Sequence, residues 1–167
     1  GKAADFVRFC DAFDIPVLSL TNVTGYEATI ASEKLLTREA ARMTAAFAEA
    51  SVPKINFITK EAYGSAYVLM NSKALGADLM YAYDTAKIGI MDSALAAKIM
   101  YEDKSADEIS EKAKEFEELQ SGIAAAAARG YVDRIITPAD TRKYLIAGFE
   151  MLFTKRTDGP FKKHSTK

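Results

Sequence analysis

The chain has 167 residues, of which 49% are hydrophobic and 27% charged, and its net charge is −1 at pH 7. This composition is typical of a soluble globular domain, long enough to bury roughly two thirds of its unfolded surface. The small net charge and the lack of a dense basic face argue against nucleic acid as a partner. Neither a leader-like segment nor an apolar run of membrane-spanning length occurs, which favours a cytoplasmic location without stable membrane insertion.

The chain contains one cysteine, Cys10, and one histidine, His164. Two such residues cannot form a zinc site or a disulfide, so no metal site is predicted, and they leave little for Ser-His-Asp or Cys-His catalysis. Cys10 has helical spacing with Phe6, Val7 and Phe13, which indicates a small buried thiol rather than a nucleophile. Chemistry in this chain must therefore depend on backbone amides, carboxylates, hydroxyls or a cofactor.

Hydrophobic spacing predicts helices that alternate with short strands. This alternation is typical of an α/β fold with parallel strands joined by right-handed crossovers. The predicted elements are, in order, a helix over 2–13, a strand over 17–22, a long helix with a stripe from Leu36 to Ala50, a strand over 53–59, a helix starting near Ser65, strands over 78–83 and 87–91, a helix over 94–101, an acidic helix from 102 that continues through 128 to a C-cap at Gly130, a strand-like segment over 131–137, and a last helix from Pro138.

We expect one domain over residues 1–153, followed by a C-terminal tail over 154–167. The tail has five Lys or Arg residues against Asp158 alone. This favours a frayed end, with contact to an acidic partner as the lesser alternative. The first helix begins so abruptly that we also expect the natural chain to extend before Gly1.

The most informative stretch is 60–75, where Gly64, Ser65 and Ala66 join a strand-like run to a helix-like run. The first amides of a helix have no intrahelical partner and carry the positive end of its dipole, so they can bind a developing negative charge. A simpler interpretation is that these residues are small only to let helix and sheet pack closely. Spacing alone favours that interpretation, because short glycine motifs give many false positives.

Longer segments around this turn carry a resemblance to a known family. A strand-like run over Val52–Thr59 leads into the AYGSAY turn over Ala62–Tyr67, and Ser72-Lys73 and the Tyr81-Ala82 strand follow. The late segment GYVDRIITPADTR covers Gly130–Arg142. Together they resemble the C-terminal half of the carboxyltransferase subunits of biotin-dependent acyl-CoA carboxylases, of the propionyl-CoA carboxylase beta type, and related decarboxylases.

The resemblance implies a crotonase-like α/β fold of repeated ββα units, in which two similar halves build one active site. It implies the biotin-side half of an acyl-CoA carboxyltransferase, which moves a carboxyl group between carboxybiotin and acetyl- or propionyl-CoA through a thioester enolate. The implied partners are biotin on its carboxyl carrier protein, the acyl-CoA, an N-terminal carboxyltransferase half, and further copies in a trimer-based or hexameric oligomer. The enolate hole belongs to that other half, so this chain alone is expected to be inactive.

The resemblance also implies roles for individual residues. The backbone amides of Ser65 and Ala66 correspond to those that hold the biotin ureido oxygen. Val68, where propionyl-type enzymes tend to have Asp, is expected in the acyl pocket. The further residues expected to bind the cofactor are Tyr63, Gly64, Gly25 and Tyr26. The family's small-residue MGAxGA segment is here Met91 to Ala96, and its Asp92 would put a carboxylate where backbone amides are otherwise free.

Four alternatives remain open from the residues. The same machinery would serve a decarboxylase subunit that runs the reverse transfer. A crotonase-type hydratase or isomerase needs a carboxylate acid/base, for which Glu61 is the near candidate, although a solvated strand end beside Lys60 explains it as well. The acidic and alanine-rich helices would suit a non-catalytic assembly domain. A serine hydrolase built on Ser65 is weakest, because His164 lies in the tail.

Overall fold

The structure, a computed structural model, describes residues 1–157. Within this range the sheet is parallel throughout and has the strand order β1-β2-β3-β5, with β4 paired to β2. The strands are β1 (Val17–Val23), β2 (Lys54–Tyr63), β3 (Leu79–Tyr83), β4 (Lys87–Gly89) and β5 (Arg134–Ile136).

One helix precedes β1, others lie between strands and one follows β5, in the alternation that the sequence predicted. They are α1 (Lys2–Ala12), α2 (Ile30–Glu49), α3 (Gly64–Leu69), α4 (Ser93–Met100), α5 (Ala106–Phe116), α6 (Ile123–Ala128) and α7 (Thr141–Leu152). None of the helices within residues 1–157 is both long and apolar enough to cross a membrane.

The two halves of β2 have different neighbours on one side. Its first half pairs with β3 and its second half with β4, while β1 pairs along the other side. The register joins Val23 to Ala62 and Tyr63 to Gly89. The carboxyl ends of β1, β2 and β4 therefore meet at one edge of the sheet, from which α3 and α4 begin.

Alternation along β2 sends its side chains into two cores. Ile58 packs with Tyr67 and Met80 on the face that α3 covers. Ile55 and Phe57 point to the opposite face, where α7 covers them. A third cluster joins α1 and α2 to the start of the sheet, and it contains Cys10, which is buried with a free thiol as predicted.

The strand that leads to the central turn is longer than predicted. The sequence pattern ended it at Thr59, but β2 continues to Tyr63 because its second half gains β4 as a partner. Ala62 and Tyr63 are buried within that continuation. Consequently Gly64 follows the strand directly, and no loop separates the sheet from α3.

The predicted acidic helix over 102–128 is interrupted, and the prediction of one continuous helix was wrong. A π-helical turn over Glu117–Ser121 follows α5, and Gly122 then has φ −63° and ψ 148°, an extended conformation. Gly122 also forms an antiparallel bridge with Lys87 of β4. Gly130, at φ +77°, ends α6 as predicted, with its N–H donating to Ala127 O.

The end of the described chain differs from the expected frayed tail. Lys155 Nζ lies 2.9 Å from Asp78 Oδ2 and donates to Val52 O at 3.1 Å. The expectation of fraying from Thr154 is therefore wrong at Lys155. The rest of the predicted tail, including His164, lies outside the described residues, and the boundary at residue 153 stays a prediction.

Candidate functional site

The β2–α3 turn is formed by a glycine in a left-handed conformation. Gly64 has φ +62°, a backbone conformation that residues other than glycine rarely adopt. A Cβ placed on Gly64 would lie 3.1 Å from Ile90 O, so the loop after β4 packs directly against the turn. Backbone conformation and close approach together require glycine at this position.

The first turn of α3 contains the amides of Ser65 and Ala66. Ser65 is exposed, whereas Ala66 is 5% exposed and packs inward. Tyr63 precedes the helix in an extended conformation, and no side chain in the described part of the chain caps the helix. First-turn N–H groups have no intrahelical acceptor, so they can donate to an oxygen that approaches from outside. Such donors can stabilise an oxyanion, but they cannot accept a proton.

Two tyrosines flank these amides from inside. Tyr63 is 2% exposed, and burial raises the pKa of its hydroxyl to about 12, with nearby carboxylates adding to the shift. Burial also raises the pKa of Tyr67 to about 12, and its hydroxyl lies 3.9 Å from Met80 Sδ. Both phenols therefore stay protonated at neutral pH and provide no base.

A second strand-to-helix junction lies beside the first. β4 ends at Gly89, and α4 begins at Ser93 with Asp92 as its N-cap. Asp92 Oδ1 accepts hydrogen bonds from the N–H groups of Ala94 at 3.0 Å and Leu95 at 3.2 Å. The carboxylate that the sequence placed here therefore occupies the first amides of α4, and these amides are not available to an external anion.

A polar cluster, Lys87-Ser93-Glu117, holds this second junction, and the sequence did not reveal it. Glu117, in the π-helical turn, accepts from Lys87 Nζ at 2.8 Å and from Ser93 Oγ at 3.2 Å. The hydrogen bond to Glu117 raises the pKa of Lys87. Because the π turn depends on tertiary packing, no sequence signal could have placed Glu117 near β4.

The remaining candidates lie around the same edge. Gly25 and Tyr26 are in the loop after β1, whose Val23 pairs with Ala62, so the loop leaves from the edge that carries the turn. Gly25 is in open space, because a Cβ added to it would have no heavy atom of the described residues within 4 Å. Val68 is half-buried on α3 against the core that contains Ile58.

Glu61, the candidate acid/base, lies within β2 and not beyond its end. It pairs in register with Lys87, and its backbone N–H donates to Asn22 Oδ1 at 3.2 Å. The side chain is half-buried. Glu61 is therefore not at the expected solvated strand end but lies inside the parallel pairing of β2 with β4.

Comparisons with known proteins identify the family and agree with the fold. The family model for the carboxyl transferase domain matches residues 1–166. The chain therefore belongs to the carboxyl transferase domain family, and its fold is the crotonase-like α/β fold expected from the sequence.

Individual relatives match over nearly the whole chain. It is 46% identical over 170 residues to a putative propionyl-CoA carboxylase beta chain of Bacillus subtilis (strain 168), with coverage of 98% of this chain and 34% of that protein. It is 41% identical over 170 residues to the methylmalonyl-CoA carboxyltransferase 12S subunit of Propionibacterium freudenreichii subsp. shermanii, covering 98% and 32%.

A solved structure is similarly close. The transcarboxylase 12S crystal structure, a hexamer assembly with methylmalonyl-coenzyme A and methylmalonic acid bound, superposes with a TM-score of 0.93. That match has 40% identity and covers 99% of this chain and 32% of the other. The chain thus spans about a third of the length of the relatives that it matches.

Proposed function

We propose that this chain supplies the biotin-side half of an acyl-CoA carboxyltransferase, which acts on acetyl- or propionyl-CoA. The observation that carries the proposal is the uncapped first turn of α3, which begins at Gly64 directly after β2. Membership of the carboxyl transferase domain family supports the reaction class.

In this proposal the N–H groups of Ser65 and Ala66 donate to the ureido oxygen of biotin. Two adjacent main-chain donors at the positive end of a helix dipole fit an oxygen that gains negative charge. The Ser65 hydroxyl is not needed, because the donors belong to the backbone. Biotin, when bound, supplies the carboxyl group and the base for the proton alpha to the thioester, which explains why no side-chain base is required at the turn.

The neighbouring residues shape this site. Gly64 lets the chain turn sharply enough to present the amides, and buried Tyr63 fixes the end of β2 beneath them. Gly25 and Tyr26, in the loop that leaves the same edge, would border the bound cofactor. Tyr26 is 40% exposed and so is free to cover a planar ring.

Val68 is proposed to face the acyl group of the substrate. It follows the two amides on α3 and is only half-buried, so part of its side chain remains available to a ligand. A small apolar side chain at this position would favour a short acyl chain by contact and not by charge.

The complete active site needs partners that supply the groups this chain lacks. We propose an N-terminal carboxyltransferase half that provides the hole for the thioester enolate, and a biotin carboxyl carrier protein that delivers the cofactor. Assembly into a trimer-based or hexameric oligomer is supported by the hexamer named for the transcarboxylase 12S structure. A cytoplasmic location fits these partners.

Reconstitution tests the proposal. The purified chain is mixed with free biotin and malonyl-CoA, with and without the N-terminal half of the 46% identical relative. We expect carboxyl transfer only in the complete mixture, because the enolate hole is otherwise missing. Steady turnover by the chain alone would overturn the two-half arrangement, and the N-terminal half alone serves as the control.

A hydratase or isomerase would need a different catalytic group. It requires a carboxylate acid/base, so Glu61→Gln should abolish its activity. Under the carboxyltransferase function the same variant retains transfer in the complete mixture, because biotin provides the base. Measuring both hydration of an enoyl-CoA and carboxyl transfer with Glu61→Gln therefore separates the two functions.

A further inference from the structure

A buried polar contact links the strands to the far end of α3. Asn56 lies in the middle of the otherwise apolar stretch Ile55–Ile58 of β2 and is 0% exposed. Its Nδ2 donates to Met70 O, at the C-cap of α3, over 2.8 Å. Thr21 of β1, also 0% exposed, donates from Oγ1 to Asn56 Oδ1 over 2.7 Å.

The chemistry of the three groups determines the orientation of the Asn56 side chain. A backbone carbonyl can only accept, so the amide nitrogen must face Met70. The amide oxygen then faces Thr21, whose hydroxyl can act as the donor. A carboxylate at position 56 could not donate to Met70, and an apolar side chain could bind neither neighbour. A carboxamide is therefore suited to join β1, β2 and α3 at one buried point.

Helix α3 needs such a contact, because it has only six residues. A helix this short is not stable by its own hydrogen bonds, so external contacts set the direction of its axis. At its first residue, Gly64 lies against Ile90 O. In its middle, Tyr67 is buried against Met80. At its last turn, the Asn56 carboxamide ties Met70 to the sheet.

We propose that Asn56 is a positioning residue: by holding Met70 O, it fixes the axis of α3 and thereby the direction of the Ser65 and Ala66 amides. This inference rests on the proposed function only for its catalytic consequence. The physical claim, that loss of the Asn56 contact reorients α3 while the sheet stays intact, stands on the geometry alone.

The test uses the full chain and the paired variant Asn56→Leu with Thr21→Val. Replacing both partners by apolar side chains of similar shape avoids leaving an unpaired polar group between the strands, while Met70 O loses its donor. Amide hydrogen exchange and backbone relaxation are measured by NMR. We expect amides of α3 to exchange about tenfold faster, the scale of one net hydrogen bond. The Ser65 and Ala66 signals should shift, whereas amides of Phe57 and Ile58 keep their protection.

Thr59→Val is the matched control. Thr59 Oγ1 donates to Thr21 O at 3.2 Å, so this variant removes a side-chain hydrogen bond of the same strand that does not involve α3. It should leave exchange in α3 as in the wild type. The inference would be overturned if α3 in the paired variant exchanged as slowly as in the wild type, or if the strands lost as much protection as α3.

Two further results keep the test decisive. If the paired variant does not fold, Asn56→Ala alone, which removes the donor to Met70 O and leaves Thr21 in place, should give the same local pattern, and unchanged α3 exchange there overturns the proposal. In the reconstituted mixture, the paired variant should lower kcat about tenfold or more with little change in the KM for acyl-CoA. Reoriented amides with an unchanged kcat would instead contradict the proposed role of the amides, and leave the positioning by Asn56 in place.

Discussion

The two strand-to-helix junctions at the carboxyl edge of the sheet have opposite chemistry. At β2–α3, no side chain among the described residues caps the helix, and Gly64 turns the backbone. At β4–α4, Asp92 binds the first amides of the helix within the chain itself. The register of Tyr63 with Gly89 puts the junctions side by side. A strand followed by a helix therefore does not define an anion site, because the residue at the cap decides whether the amides are available.

The largest expected effect comes from removing a donor at the uncapped junction. Ser65→Pro deletes one N–H and should lower carboxyl transfer in the reconstituted enzyme on the order of 100-fold or more. Ser65→Gly keeps the N–H and removes only the side chain, so it should retain most activity. If the folded glycine variant is as inactive as the proline variant, the hydroxyl is the working group and the amide mechanism is wrong.

The next effect concerns Val68, which is half-buried on α3. Val68→Asp introduces a charge at a half-buried position next to the amides. We expect the ratio of acetyl-CoA to propionyl-CoA efficiency to change by an amount that corresponds to roughly 1 to 3 kcal/mol. Val68→Thr, of nearly the same shape, is the control and should change the ratio far less. If Val68→Asp leaves the ratio unchanged, the proposal that Val68 faces the acyl group is wrong.

A smaller effect should follow from changing the turn itself. Gly64→Ala forces a side chain into a left-handed conformation, which costs about 1–2 kcal/mol, and it presses on Ile90 O. The urea midpoint of unfolding should fall accordingly. Gly25→Ala, at a position with open space around it, is the matched control and should not destabilise the chain. Equal midpoints for the two variants would show that the turn tolerates a side chain.

The smallest effect is expected at the capped junction. Asp92→Ala removes two hydrogen bonds to the start of α4 and should lower the free energy of unfolding by about 1 kcal/mol. Asp92→Asn, whose side-chain oxygen can also accept, should retain most of that stability. Urea unfolding measures both. If Asp92→Ala is as stable as the wild type, the carboxylate does not act as the cap of α4 in solution.

Local pattern was sufficient for much of this protein. A helix was predicted from residue 94, and the structure shows Asp92, a residue type preferred at helix N-caps, as its cap. Gly64 was identified as part of a turn because small residues separate two apolar runs of different period. Capping and left-handed turns depend on a few consecutive residues, so the sequence itself carries these signals.

Tertiary structure decided the features that depend on distant partners. The extension of β2 to Tyr63 required β4, and the break at Gly122 accompanies its bridge to Lys87. The sequence shows Asn56 as a polar residue within an apolar strand, but it does not show that Met70 is the hydrogen-bond partner of Asn56. Residues far apart in sequence meet only when the sheet brings them together, and for that reason the amides of the turn were predictable while the contacts that hold them were not.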